Sequence, residues 1–207
     1  QNGHYTPGYY LRASQLNGDF NESNNPEWKT IVIDEHSGDL AAPKGSIGFR
    51  WGEKGKWNLK AEDSTGKEVQ AQLSLIAQHD ETVDVAFDYF GGKDASDVMV
   101  RKVPVKKIQL ADGSSCYVAT VFDLSVANYG LDRGLGGGNV ASSYEDDVPY
   151  TPKWQEKHTG VPAAKVIQVA REFAQNAHDS HGKSMVIVGA GLNHWYHMDM
   201  SYRGIIN

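Results

Sequence analysis

The stretch SMVIVGAGLNHWYH, Ser184 to His197, decides how this chain is read. Met185 to Gly189 is a short continuous apolar run bounded by turn residues, the pattern of a strand buried on both faces. Gly189 and Gly191 follow, two positions apart. Asn193, His194, Trp195, Tyr196 and His197 then crowd donors and ring faces onto the next turn. A buried strand that ends on bare backbone and runs into a helix is the α/β arrangement in which ligands settle outside the carboxyl ends of strands.

Working outward, the preceding residues are helical. In TPKWQEKHTG, Thr151 is placed to cap the first turn, Pro152 suits the first helical position, and Gly160 ends the helix. In VPAAKVIQVAREFAQNAHDSHG, the residues Val166, Ile167, Val169, Ala170, Phe173 and Ala174 form one apolar stripe, and Gly182 closes the segment. The C-terminal third therefore reads helix, helix, strand, loop, helix.

Further upstream the period shortens to two. KTIVID, EVQAQLSLIAQ, TVDVAFDYF, VMVRKVPVKKIQL and SSCYVATVFDLSV all read as strands, with ADGSS a tight turn before the last. IGFRWGEKGKWNLK reads as a hairpin. YYLRASQL is a short strand or helix; NGDFNESNNPEW and FGGKDASD are loops. Residues 126–148 hold five glycines between 130 and 138, read as a flexible loop, with a phosphate-cradling nest as the sharper alternative. The expected class is α/β in the mixed α+β sense. A β-rich region covers residues 1–140, and a C-terminal α/β unit covers 141–207.

Bulk properties bound the function. The chain has 207 residues, 40% hydrophobic and 22% charged, enough to bury a core without cross-links. A net charge of −6 and the lack of a basic run argue against nucleic-acid binding. No apolar run approaches the roughly 18 residues of a membrane span. Cys116 is the single cysteine, read as a half-buried strand residue rather than a metal ligand. The chain starts at Gln1 and ends in the uncapped helical run MDMSYRGIIN, which reads as an internal portion of a longer, cut polypeptide.

The site candidates follow from the opening stretch. Gly189 and Gly191 lack a Cβ, so a diphosphate or flat ring can approach the main chain. The first N–H groups of the next helix are free donors for anionic oxygens. The dinucleotide fingerprint matches poorly, because His194 stands where the third glycine packs helix on strand. His194 and His197 could share a metal at i, i+3, but no third ligand is in sight, and a structural pair is the plainer reading. His178 and His181 suit a helix C-terminus. No catalytic residue and no metal ligand are assigned. A rival reading is a non-catalytic binding or subunit-docking module that uses the aromatic β region of Trp51, Trp57, Tyr89 and Phe90.

The wording of the chain goes further. YTPKWQEKHTGVPAAKVIQVAREFA and HGKSMVIVGAGLNHWYHMDMSYRGIIN resemble the large catalytic (alpha) subunits of bacterial respiratory nitrate reductases, of the molybdopterin oxidoreductase family. NNPEWKT, APKGSIGFRWGEKGKWNL, YFGG, VPVKKIQLADGS and ANYGLDRGL look similar to the same subunits. The resemblance implies a parent that reduces nitrate to nitrite at a molybdenum ion held by two molybdopterin guanine dinucleotides. Electrons would arrive through iron–sulfur clusters, from an iron–sulfur beta subunit and a membrane-anchor gamma subunit. The complex would sit at the cytoplasmic side of the bacterial membrane. By resemblance, Val188, Gly189, Ala190, Gly191, Leu192, Asn193, His194 and Trp195 form part of the wall of one dinucleotide. Nothing here matches the family's cluster-ligating histidine and cysteines, so the [4Fe-4S] cluster is not ligated by this chain; nor does anything match its molybdenum-ligating aspartate. The isolated chain is expected to be inactive, to expose apolar patches and to self-associate.

Overall fold

The computed structural model describes residues 8–18, 31–43, 61–63, 65–89 and 97–206. Antiparallel strands combine with α-helices, the mixed class expected from the sequence. The chain divides into two compact units, residues 1–87 with 100–124 and residues 88–99 with 125–207.

The first unit opens with a single 3-10 turn, Ala13–Gln15. Strands β1 (Val32–Ile33) and β2 (Leu40–Ala41) then pair as a hairpin, with Val32 opposite Ala41. Asp34 organises the turn. Its N–H donates to the Asp39 carbonyl at 2.9 Å and its carbonyl accepts the Gly38 N–H at 2.8 Å. Its buried carboxylate accepts from Ser37 Oγ at 2.9 Å and from the Gln70 N–H at 3.2 Å. One side chain thus staples this hairpin to the residue following the next, β3 (Ala61–Glu62) with β4 (Glu68–Val69). The Gln70 N–H, then Ser37, His36 and Lys67, outweigh burial and hold the Asp34 carboxyl at about 2, below its ordinary 3.8.

Strands β5 (Glu81–Asp88), β6 (Val98–Gln109) and β7 (Ser115–Val118) form a three-stranded sheet in that order. The β6–β7 turn is the expected one. Gly113 takes φ +84°, and Asp112 accepts from the Ser114 N–H at 2.9 Å, which fixes Gln109 opposite Ser115. Pro104 is buried in β6, where a missing N–H normally breaks a ladder. The Val105 carbonyl accepts from Asp80, so Pro104 faces the opposite edge, and β7 has already ended at Val118 opposite Lys106. Val103, Val105 and Ile108 of β6 join Ile33, Val69 and Leu75 among the buried apolar residues of this unit. Cys116 is half-buried in β7 opposite Ile108, as expected, and burial pushes its thiol pKa up.

Two β expectations hold only in part. SSCYVATVFDLSV is a strand only as far as Val118, and Val121–Tyr129 is helix α1. Thr120 Oγ1 accepts the Asp123 N–H at 3.0 Å, a cap that turns the chain into a helix despite its β-branched residues. EVQAQLSLIAQ is likewise strand only at Glu68–Val69, with a bridge from Ala71 to Asp34. The expected hairpin over 47–60, and all of the expected loop over 90–97 except Asp97, lie outside the described residues.

In the second unit, α2 (Pro152–Thr159) is bounded as predicted. The Thr151 hydroxyl accepts the Trp154 N–H at 3.0 Å, Pro152 starts the helix, and Gly160 ends it at φ +72°. Helix α3 (Ala163–Asp179) follows and packs on α2. The rings of Tyr129, Tyr150, Trp154 and His158 meet in sequence, the first two pairs edge to face and the last tilted, with centroids 6.0, 5.7 and 4.4 Å apart. The glycine-rich loop is clasped rather than free. The Ala141 N–H donates to the Gly130 carbonyl at 2.7 Å, and the Asp132 N–H to the Ala141 carbonyl at 3.1 Å. Asp146 accepts from the N–H groups of Ser143 and Ser142, which depress its pKa, and Arg171 of α3 lies over the Tyr144 ring.

Candidate functional site

The opening stretch is built outward from the end of α3. There His181 takes φ +55° and the Gly182 N–H reaches back to the Ala177 carbonyl at 2.6 Å, a Schellman ending in which histidine occupies the left-handed position. Ser184 is then tied down on both sides. Its hydroxyl donates to the Phe173 carbonyl at 2.9 Å and accepts from Asn176 Nδ2 at 2.8 Å.

From there the structure departs from the sequence reading. Residues 183–189 are not a strand. A strand needs neighbours to take up its backbone groups, and among the described residues none pairs with Met185–Val188. Met185 is 75% and Ile187 84% exposed, so the side chains that a sheet would bury face outward. Val186 lies along the α3 stripe, where an apolar groove is lined by Val161, Val166, Val169, Ala170 and Phe173.

The glycine turn leads into α4 (Ala190–Asn193), a single turn. The expected row of free helix N–H donors is shortened, since Leu192 and Asn193 do not belong to it. The Gly189 carbonyl takes the N–H groups of Leu192 at 2.9 Å and Asn193 at 3.1 Å, and one turn builds little dipole. His194 caps that turn, and His197 takes φ +60° before α5 (Met198–Ile206). The two histidines therefore do not share a helix face, and no group of three possible metal ligands occurs among the described residues. The α5 helix returns onto α4, where the Tyr202 hydroxyl meets Asn193 Oδ1. Trp195 is 72% exposed.

Gly189 and Gly191 lie on open backbone, as do Gly8 and Gly204. A Cβ at either would meet nothing within 4 Å, and neither sits at positive φ. Gly189 is the N-cap of α4, a position that suits glycine, whereas Gly191 lies within the turn, where glycine costs about 1 kcal/mol relative to alanine and neither packing nor backbone conformation asks for it. The bare backbone at both positions leaves the loop open to close approach. Val188 and Leu192 are half-buried and flank this open backbone, while Asn193, His194 and Trp195 are exposed beside it.

No family model matches the chain. Individual relatives do. It is 53% identical to the respiratory nitrate reductase 1 alpha chain of Escherichia coli (strain K12) over all of its own length and 17% of the relative's. It is 43% identical to the nitrate reductase alpha chain of Bacillus subtilis (strain 168), again over all of its length and 16% of the relative's. Perchlorate reductase subunit alpha of Dechloromonas aromatica (strain RCB) matches 48% of the chain at 33% identity. Its class is thus that of the alpha chains of bacterial oxyanion reductases. Within that class the chain belongs to the nitrate reductase alpha-chain family, and it spans about 17% of the length of its E. coli relative.

Proposed function

We propose that this chain serves as a segment of a nitrate reductase catalytic subunit, which reduces nitrate to nitrite at a molybdenum centre held by two molybdopterin guanine dinucleotides. The segment's own part is to supply scaffold through residues 1–140 and one wall of a dinucleotide pocket through residues 141–207. The observation that supports this is the likeness to nitrate reductase alpha chains over the whole chain, and the open backbone at Gly189 and Gly191 beside exposed Asn193 and Trp195 is compatible with the pocket. The residues there fit a flat, polar, anionic ligand. Bare backbone permits close approach, the exposed Trp195 ring offers a stacking face, and Asn193 offers an amide.

When bound, the molybdenum group supplies the oxygen-atom transfer. The chain's residues hold and orient it; Val188, Gly189, Ala190, Gly191, Leu192, Asn193, His194 and Trp195 would line it. An iron–sulfur beta subunit and a membrane-anchor gamma subunit complete the electron path on this reading, with the assembly on the cytoplasmic side of the membrane. The [4Fe-4S] cluster belongs to other parts of the subunit. No helix among the described residues is long and apolar enough to cross a membrane.

The test is a fluorescence titration of the chain with GDP. Trp195 should respond saturably, and Trp195→Phe should remove the response while Trp51 and Trp57 stay silent. A wild-type chain with no saturable change at millimolar GDP would end the proposal. The chain alone should turn over no nitrate with reduced viologen dye.

A further inference from the structure

Among the described residues, glycine follows a side chain able to close a five-membered ring on the backbone at Asn17–Gly18 and at Asp112–Gly113. The ring forms when the glycine nitrogen attacks the side-chain carbonyl carbon, and glycine hinders that attack least because it has no Cβ. At Asp112–Gly113 both reacting groups are occupied. Asp112 Oδ1 accepts from Ser114 Oγ at 2.6 Å and from the Ser114 N–H at 2.9 Å, and the Gly113 N–H donates to the Leu110 carbonyl at 3.1 Å. The same bonds from Ser114 hold the Asp112 carboxyl below its ordinary pKa, and a carboxylate resists attack by a nucleophile. At Asn17–Gly18 neither group is occupied. Both residues are exposed, and neither makes a hydrogen bond to another described residue. The Asn17 side chain is an uncharged carboxamide, open to attack. The chain just before it is anchored. Leu16 is buried with its N–H on the Ala13 carbonyl at 3.2 Å, and the Gln15 carbonyl accepts the Ala111 N–H at 2.9 Å.

We propose that Asn17–Gly18 is a site of spontaneous deamidation, and that the isoaspartyl residue formed there is a substrate for methyltransferases of the isoaspartyl-repair class. The Gly18 nitrogen bonds to Asn17 Cγ, the Cγ–Nδ2 bond breaks, and ammonia leaves with the proton that Gly18 gives up. The succinimide then takes up water at one of its two carbonyls. Opening at Cγ leaves an ordinary aspartyl residue. Opening at the main-chain carbonyl routes the chain through the side chain, which lengthens the backbone by one carbon and frees the α-carboxylate. Either product carries a negative charge where the amide was neutral. A repair methyltransferase moves a methyl group from the sulfur of a sulfonium donor onto that freed carboxylate oxygen, forming a methyl ester. The site lies far outside residues 184–197 in sequence and does not depend on the pocket proposed above.

The experiment incubates the chain at neutral and mildly alkaline pH, folded in buffer and unfolded in guanidinium chloride. After removal of denaturant, a repair methyltransferase and a labelled methyl donor mark isoaspartyl residues, and tryptic peptides are mapped by mass spectrometry. Cleavage after Arg12 separates Asn17–Gly18 from Asn2–Gly3, which lies outside the described residues. The folded chain should gain label at position 17, and more of it at the higher pH, because the Gly18 nitrogen attacks once its proton is lost. Asn17→Gln would have to close a larger ring and should lose the label at that position, with thermal unfolding unchanged because the side chain is exposed. Asp112→Asn puts the same reactive pair into the hydrogen-bonded turn and keeps the acceptor oxygen. In that variant position 112 should stay nearly blank in the folded chain and convert alongside position 17 in denaturant. An Asn17 that stays intact in the folded chain while the unfolded chain converts would overturn the proposal, since the fold would then protect it. Conversion at position 112 of folded Asp112→Asn as fast as at position 17 would also overturn it, since free reacting groups would not be what marks Asn17–Gly18.

Discussion

The Asp123 carboxylate, fully buried, accepts the Leu75 N–H at 2.8 Å across 48 residues of chain. The same group takes the Ser74 hydroxyl at 2.7 Å and the Thr120 hydroxyl at 2.9 Å. Asp123 thereby fixes the start of α1 and the irregular segment after β4 at one point. Hydrogen bonds to a charged group contribute about 1.5–3 kcal/mol each, and a buried donor left without a partner costs a further amount. Asp123→Ala should therefore lower the unfolding free energy by about 3 kcal/mol or more. Urea denaturation followed by circular dichroism checks this, and a loss under about 1 kcal/mol would show that the cluster is not what anchors α1.

Asp34 gives the first unit an acid limit. Its carboxyl sits at about 2 in the folded chain against an ordinary 3.8, chiefly through the Gln70 N–H. A depressed folded-state pKa favours the fold above the unfolded value and loses that contribution as pH falls through the folded one. Stability from this group should be whole above about pH 4 and gone near pH 2. Asp34→Asn should flatten the fall in urea midpoint across that window. An unchanged pH profile in the variant would assign the acid sensitivity to other carboxylates.

Some of this was legible in the residues and some was not, for physical reasons. The limits of α2 could be read because Thr151, Pro152 and Gly160 act locally, each through its own cap or backbone angle. The ADGS turn was legible for the same reason. Helix α1 was missed although Thr120 and Asp123 stand at cap spacing, because VATVF has strand propensity and the Asp123 carboxylate draws on the distant residues Ser74 and Leu75 as well as on Thr120. The strand reading of Met185–Val188 followed its composition, but a strand is a relation between segments, and none of the described residues completes it. Gly189 and Gly191 lie on open backbone, while Tyr202, which reaches that loop from α5, carried no pattern that a local reading could use.

Exposed strand-like segments associate. Met185–Val188 has unpaired backbone, apolar side chains on both faces and no charge, a combination that templates pairing between chains. Sedimentation velocity on the chain should show association that grows with concentration. Ile187→Lys should suppress it by placing a charge on a side chain that is 84% exposed, with little change in unfolding free energy. If the wild-type chain stays monomeric at high micromolar concentration, this surface is not the adhesive one.

Gly191 separates stability from binding. A Cβ there meets nothing within 4 Å and the residue lies in the α4 turn, so Gly191→Ala should leave the fold unharmed or stabilise it by up to about 1 kcal/mol. If bare backbone serves a ligand, the same methyl group stands where that ligand approaches, and GDP affinity should fall. Gly191→Val should reduce it further, in step with the bulk added. Thermal unfolding and the Trp195 titration, run on the same samples, read the two effects apart. A variant that gains stability and binds GDP as well as wild type would leave the glycine without a role in binding, and with it the physical reason for placing a dinucleotide against this loop.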